Sequence, residues 1–544
     1  MKASALAGFT AAAAGSAAEW AGSGGATAAA NVSKYQQLVP EIFAPLADPP
    51  TYTPAVIIGS GFGGAVSALR FAQAGINVTV LERGSRWPND PQREIFTTDA
   101  APDGRGYWHN PSRTGFWGLV GSGEDFGGVL DAGLYGGVNV LRGAAVGGGS
   151  VVFTGVMIEP ERRFFDAIFG GKVSYDEMHN KYYPRVRQML RVSPMPADVM
   201  NSSPFTHTRT WNQQAAAAGY NVQIPDSIAN WDVVRSELAG KSRASATTGL
   251  SNFGNSNGAK FDLNQNYLKQ AEASGRATVY PGHQVTSIGR NSAGKYTISV
   301  TKMDPTGAVL SQRTLTCDYL VLAAGSMGTS ELLVKAKATG TLPNLNSATG
   351  QGWGTNGDSM VIRALAYQDL FSSPGAFCGG RILDERGDLP VTLENWYTQS
   401  APSVNNLLPS LGLGTTAGIV ASLGMAMDPT RGAFRYDSAA GKVVLDFPTN
   451  GTQRATNAAQ AVNSKIASGA LQIVQPPLDP FTAHPLGGAV LNQATDSYGR
   501  VAGYSGLYVM DGAAVPGSTG TVNPSLTIAA LAERNVEAIL AAGG

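Results

Sequence analysis

At about 150 residues per domain, a chain of 544 residues has the mass of three or four domains, which excludes a small module. Hydrophobic residues at 43% are enough for a large core and exclude a disordered chain, while charged residues reach only 14% against the roughly 25% of ordinary soluble domains. Lys+Arg and Asp+Glu both number 39, so a net charge of zero leaves no electrostatic footprint for nucleic acid and no polybasic segment for an anionic membrane.

Residues 1–30 are almost all Ala, Gly, Ser and Thr. They read either as an export signal with a small-residue cleavage region near Ala30, which would make the protein secreted, or as a low-complexity leader on a cytoplasmic one. Glu19 and the glycines of 22–25 interrupt the apolar run, and residues 1–51 as a whole are expected to be leader and linker. No later stretch offers about 20 uninterrupted apolar residues, so no membrane-spanning helix is expected.

From Pro54 the text changes. Ala55–Ile58 is an apolar run expected to be a buried strand, Ala65–Gln73 a helix, and Asn77–Glu82 a second strand. Between the first strand and the helix lies Gly59-Ser60-Gly61-Phe62-Gly63-Gly64, a GxGxxG at the turn of a βαβ unit. In that position the first glycine makes the turn, the second lets backbone approach a pyrophosphate, and the third lets helix and strand pack closely. The helix N-terminus supplies N–H donors to the phosphates, and Glu82, closing the second strand, is placed to accept from ribose hydroxyls. Dinucleotide binding follows, with NAD and FAD both open at this point.

Residues 85–140 are rich in Gly, Pro, Trp and Tyr with little periodicity, as in a long functional loop. Arg142–Ser150 is a second glycine-rich loop, read either as flexible linker or as backbone laid against a flat, bulky cofactor. Further along, Tyr175–Leu190 and Thr452–Ser468 are expected helices, while Thr278–Ile288, Tyr296–Met303 and Tyr319–Ala324 are expected strands. The chain closes with an expected strand at Gly506–Met510 and helix at Thr527–Ala542. Asp511 follows that strand into Gly512, either to bind cofactor hydroxyls or to cap the next turn. Glycine, 68 residues against a usual share of about 7%, collects in these loops. Two cysteines and five histidines, none of the histidines at i, i+4, give neither a disulfide framework nor an expected metal centre.

Taken together, Gly143–Ser150 followed by Met157–Arg162, Thr329–Val334 with Gly340–Asn346, Ala483-His484-Pro485-Leu486-Gly487-Gly488 with Asp496–Val501, and Val522-Asn523-Pro524 carry a resemblance. From about Pro54 onward the chain resembles the glucose–methanol–choline family of flavoprotein oxidoreductases, and within it the bacterial cholesterol oxidases that hold FAD noncovalently. The resemblance implies an α/β fold: a Rossmann-like FAD-binding domain with a discontinuous substrate domain built on a β-sheet flanked by helices. The FAD part would be assembled from 52–90, 131–165, 255–352 and 476–544, the substrate part from 166–254 and 353–475, with 91–130 a loop region. It also implies noncovalent FAD held by Gly59, Gly61, Phe62, Gly63, Gly64, Glu82, Gly149, Val285, Asp511 and Asn523.

His484 and Asn523 match the family's active-site pair. An imidazole titrating near neutrality can take or relay the hydroxyl proton, and an amide can donate to the substrate oxygen without a charge to desolvate. The implied reaction is oxidation of a secondary alcohol to a ketone, with a 3β-hydroxysterol or similarly large apolar alcohol leading and O₂ reduced to hydrogen peroxide. A sterol substrate would bring transient contact with a membrane surface. The rivals are a family member acting on a non-steroid alcohol, a flavin-binding module without turnover, and a nicotinamide dehydrogenase.

The chain also departs from its family. Phe153, Thr154, Ser525 and Ala489 replace family residues around the flavin. Cholesterol oxidases use an active-site glutamate to move the steroid double bond after oxidation. Counting back from Met427–Gly432, that position falls at Thr416, within a run from Gly412 to Ala426 that has no carboxylate. The expected product of a Δ5-3β-hydroxysteroid is then the unconjugated 5-en-3-one, unless Glu394 or Asp479 folds into the same space.

Overall fold

The computed structural model describes residues 32–98, 102–111, 123–365, 375–396, 418–467, 471–473 and 480–543. The expected leader and linker over 1–51 is folded from residue 32 onward. A helix over 32–38 and a turn at Pro40–Phe43 bury Tyr35, Val39 and Ile42, and the Tyr35 hydroxyl donates to Glu124 while accepting from the Gly104 N–H at 2.8 Å.

The first layer is a sheet built from β1 (Ala55–Ile58), β2 (Val78–Leu81), β3 (Ala277–Tyr280), β4 (Tyr319–Leu322) and β5 (Leu507–Val509), in the order β5-β4-β1-β2-β3. Every pairing in it is parallel, so β1, β2, β4 and β5 are buried on both faces and read as continuous apolar or small runs. The helix α1 (Phe62–Gln73) crosses from β1 to β2, and the C-terminal helix α2 (Ser525–Ala541) packs against it. Glu533 of α2 is fully buried and accepts both guanidinium donors of Arg70 at 2.6 and 2.7 Å, with Tyr267 Oη adding a bond at 2.8 Å. A buried carboxylate is tolerable only with such compensation.

The run expected as one strand over Thr278–Ile288 is two. Pro281 has no N–H to give a ladder and Gly282 takes φ 72°, so β3 ends and the chain re-enters as His283–Arg290 in a separate antiparallel sheet with Tyr296–Met303 and Val309–Cys317. The helix expected over Tyr175–Leu190 holds its course but carries a π turn at Met178–Tyr182, just before Pro184.

A second, antiparallel sheet runs Arg381–Asp384, Val391–Trp396, Gly418–Ala426, Asp358–Leu365, Leu471–Ile473 in spatial order. One face, with Val361, Val391, Leu393 and Val420, packs on the helices Thr206–Ala217 and Gln453–Ile466; the other presents Met360, Ile362, Trp396 and Leu423 to the interior. Glu394 belongs to that inner face by strand alternation, a buried carboxylate with Arg381 and Leu423 opposite it on the neighbouring strands. Among the described residues no helix is long and apolar enough to cross a membrane.

Gly63 sets a sharp test of this architecture. A Cβ there would lie 1.6 Å from the Met510 carbonyl oxygen, and both groups are backbone, whereas a Cβ at Gly61 meets nothing closer than 3.9 Å. We expect Gly63→Ala to destabilise by more than about 4 kcal/mol in denaturant unfolding, and Gly61→Ala by no more than about 1 kcal/mol.

Candidate active site

A cleft of about 750 Å³, within the usual range for small-molecule sites, is lined by Gly59, Gly61, Phe62, Gly63, Glu82 and Val285, and also by Gly149, His484, Asp511 and Asn523. Of the residues singled out from sequence, Gly64 alone does not line it. It packs instead under the turn, where a Cβ would come within 2.0 Å of the Gly59 carbonyl oxygen.

The turn itself follows from the glycines. Gly59 takes φ 95° with its Cα pressed toward the Ala323 carbonyl at the end of β4, and α1 starts at Gly61 with no side-chain cap, leaving first-turn N–H groups free for an anion. Ser60 then ties three segments together. Its N–H and Oγ–H both donate to Glu82 Oε2, at 3.1 and 2.7 Å, and its oxygen accepts from the Gly147 N–H at 3.0 Å, drawing the second glycine loop onto the first. Burial pushes the Glu82 carboxyl up, against the bonds from the Gly84 N–H and Ser60 that hold it down. Each carboxylate oxygen has two acceptor positions, so Glu82 keeps capacity for ribose hydroxyls.

The space between these loops fits a dinucleotide. Gly149 has no atom within 4 Å of where its Cβ would stand and Gly61 has almost none, so both backbones face open cleft, whereas a Cβ at Gly148 would come within 2.7 Å of the Gly61 Cα. Asp511 caps: Oδ1 accepts from the Ala513 N–H at 2.9 Å and Oδ2 from Thr329 Oγ1 at 2.5 Å. It lines the cleft as well, and burial pushes its carboxyl up to about 6 despite those two bonds.

His484 and Asn523 line the same cleft. The short strand Phe481–Thr482 pairs in parallel with Asn139–Val140 and delivers His484, after which Gly487 and Gly488, at φ 88° and 103°, turn the chain where any Cβ would strike Gly352 or Ser330. Asn523 ends a loop held from Asn356, whose Nδ2 donates to the Val522 carbonyl at 2.9 Å while its Oδ1 accepts from the Thr519 N–H at 2.9 Å. Thr521 in that loop has φ 67°, a conformation that costs a β-branched residue strain.

Two carboxylates complete the cluster. His484, with its side chain 12% exposed, donates from Nδ1 to Oδ1 of the fully buried Asp358 at 2.8 Å. Asp358 Oδ2 accepts from Thr482 Oγ1, the Ala483 N–H and the His484 N–H, at 2.9, 2.9 and 3.2 Å. Burial would pull the imidazole down, but the charge of Asp358 and its hydrogen bond, with Glu394 adding, hold it above the ordinary range. Asn523 Nδ2 donates to Glu394 Oε2 at 3.3 Å, while Glu394 Oε1 and Asn523 Oδ1 are buried without a hydrogen-bond partner among the described residues. Burial pushes the Glu394 carboxyl up to about 7, partly offset by Arg381 and the Asn523 bond.

The expectation that the site lacks a carboxylate is therefore corrected. Thr416 and Asp479 lie outside the described residues, and Glu394, named from sequence only as a distant stand-in, reaches Asn523 from the inner face of the second sheet. Asp358 carried no sequence signal, since a lone Asp after Gly357 reads as a turn. Phe153, Thr154 and Ser525 line the cleft, with Phe153 meeting Phe62 edge-on at 5.6 Å, whereas Ala489 is buried away from it. His109 pairs with Asp125 at 2.8 Å and is not among the lining residues.

Models of the GMC oxidoreductase family match residues 55–341 and 437–532. A cholesterol oxidase of Acinetobacter baumannii is 26% identical over 541 residues, spanning 88% of this chain and 93% of that protein. A cholesterol oxidase of Mycobacterium tuberculosis is 28% identical over 547 residues, spanning 88% and 89%. Among solved structures, pyridoxine 4-oxidase from Mesorbium loti superposes with a TM-score of 0.62 at 14% identity, covering 90% of this chain and 99% of that one. A fungal aryl-alcohol oxidase superposes at 0.59 and 14%, covering 91% and 100%. At that identity the structural likeness speaks for the fold.

Proposed function

Since the chain belongs to the GMC oxidoreductase family and is an FAD-dependent alcohol oxidoreductase, we propose that it oxidises a secondary alcohol on a large apolar frame, a 3β-hydroxysterol first among them, to the ketone. The observation that carries this reading is the cluster of His484, Asn523 and Glu394 beside a cleft whose wall includes Leu130, Trp396, Leu423 and Phe481. Those four side chains offer a fused-ring alcohol apolar burial, and relatives named cholesterol oxidase match this chain over most of its length.

A bound flavin supplies the hydride acceptor and then the two electrons that, with two protons, convert O₂ to hydrogen peroxide. Gly59, Gly61, Phe62, Gly63 and the α1 N-terminus would hold its diphosphate, Glu82 and Val285 its adenosine, and Gly149, Asp511 and Asn523 its ring end, with the segments 52–90, 131–165, 255–352 and 476–544 forming the cofactor half. His484 Nε2, the ring nitrogen not engaged by Asp358, takes the hydroxyl proton as the carbinol hydride leaves. Asn523 fixes the substrate oxygen by hydrogen bonding. Glu394, poised near neutrality, can take a carbon-bound proton and return it elsewhere on the frame, the work of double-bond isomerisation. The export reading rests on residues 1–30, outside the described residues.

Three outcomes test the reading. Acid precipitation should leave all the yellow colour in the supernatant, because His109, the one histidine in the loop before the second glycine loop, is turned to Asp125; colour in the pellet would mean covalent attachment. The variant His484→Ala should keep FAD and lose about 10² to 10⁴-fold in the rate of anaerobic flavin bleaching by sterol. Bleaching by other alcohols alone would select the non-steroid rival, and bleaching by none the module without turnover.

Finally, wild type acting on a Δ5-3β-hydroxysteroid should release the conjugated 4-en-3-one, read by its ultraviolet absorbance, and Glu394→Gln should release the unconjugated 5-en-3-one while bleaching flavin within about tenfold of wild type. Conjugated product from Glu394→Gln would remove this carboxylate from the isomerisation.

A further inference from the structure

His484 stands between two buried carboxylates, and they hold it differently. Glu394, at the centre of the second sheet with Arg381 beside it on the neighbouring strand, acts on the imidazole through charge alone, while Asp358 makes the direct bond to Nδ1. Among the described residues, Asp358 and Glu394 are the charged groups that act on the imidazole. Asp358 also has no exposed side-chain surface, and its two oxygens divide their work: Oδ2 takes two backbone N–H groups and the Thr482 hydroxyl, leaving Oδ1 to the imidazole.

We propose that Asp358 is a positioning residue for His484, fixing the neutral imidazole with its proton on Nδ1 so that the Nε2 lone pair is the one available to the substrate hydroxyl. This rests on the alcohol-oxidising reading for its kinetic consequence but not for its geometry. A carboxylate is acceptor-only, so an imidazole nitrogen facing it must carry the proton. The second ring nitrogen is then an acceptor, as a base requires. Two of the three donors on Oδ2 are backbone groups that cannot turn away, which keeps Oδ1 aimed at the ring. When the imidazole becomes cationic after taking the hydroxyl proton, the same carboxylate stabilises the charge.

The substitution Asp358→Asn separates this role from that of a loop staple. Its one oxygen stays with the Ala483 N–H and shares the His484 N–H with Thr482 Oγ1, so its amide nitrogen turns to Nδ1. A donor there forces the proton onto Nε2, where it blocks the base. With imidazole-¹⁵N-labelled protein, assigned by the loss of one of five histidine signals in His484→Gln, wild type should show neutral His484 protonated on Nδ1 and Asp358→Asn should show it on Nε2.

In stopped-flow bleaching with the most effective alcohol, Asp358→Asn should fall by at least tenfold and by up to the roughly 10⁴-fold that the wrong tautomer costs in the serine-protease triad. The pH midpoint of the remaining rate should move down, because the attraction that raises the imidazole is removed. FAD content should be retained. Wild-type protein with the proton on Nε2 overturns the proposal whether or not the variant folds. An Asp358→Asn protein with unchanged tautomer, rate and midpoint does so too. If no alcohol bleaches the flavin the function fails, and the ¹⁵N spectra still decide what Asp358 does.

Discussion

The molecule depends on one constraint: several stretches of backbone must touch where no side chain can fit. Gly59 lies against Ala323, Gly63 against Met510, Gly64 against Gly59, and Gly148 against Gly61. These contacts bring the ends of β1, β4 and β5, the start of α1 and the second glycine loop together. Ser60 closes the arrangement by joining Glu82 to Gly147. The high glycine content is thus partly the cost of drawing distant segments into one wall, while Gly61 and Gly149, whose Cβ atoms would meet almost nothing of the protein, face open cleft.

The chemistry faces the opposite problem, since charge must survive where water is scarce. Burial raises Glu394, Asp511 and Glu82 alike, and each is restrained by a different device. Glu82 has backbone and serine donors, Asp511 a threonine and a cap, and Glu394 only one long bond from Asn523 and the nearby charge of Arg381. With so little compensation Glu394 is pushed up to about 7, where a group can both accept and return protons. For His484 the balance reverses, because the charge of Asp358, its hydrogen bond and the charge of Glu394 together outweigh the penalty of burial.

The two sheets divide these tasks by their strand chemistry. The parallel sheet, buried on both faces, offers its carboxyl ends and the turns after them, which is where open α/β sheets bind ligands. The antiparallel sheet alternates, so it can cover helices with one face and present Trp396, Leu423 and Glu394 inward with the other. Apolar wall and acid therefore come from the same strand, Val391–Trp396, by period-two alternation alone.

The sequence by itself determined the βαβ unit, its fingerprint and the two later strands of the same sheet, because each rests on local pattern, an apolar run or a glycine at a fixed offset, while His484 and Asn523 were named through the family resemblance. It said less where contact is remote. Thr416, reached by counting back from Met427 along the strand Gly418–Ala426, lies outside the described residues, whereas Glu394 is fixed by its register opposite Arg381 and Leu423. Asp358 lies 126 positions from His484, and a single strand register, with backbone donors that pin one of its oxygens, decides that they meet. Only the tertiary structure could decide that, since a hydrogen bond between distant segments leaves no periodicity in either.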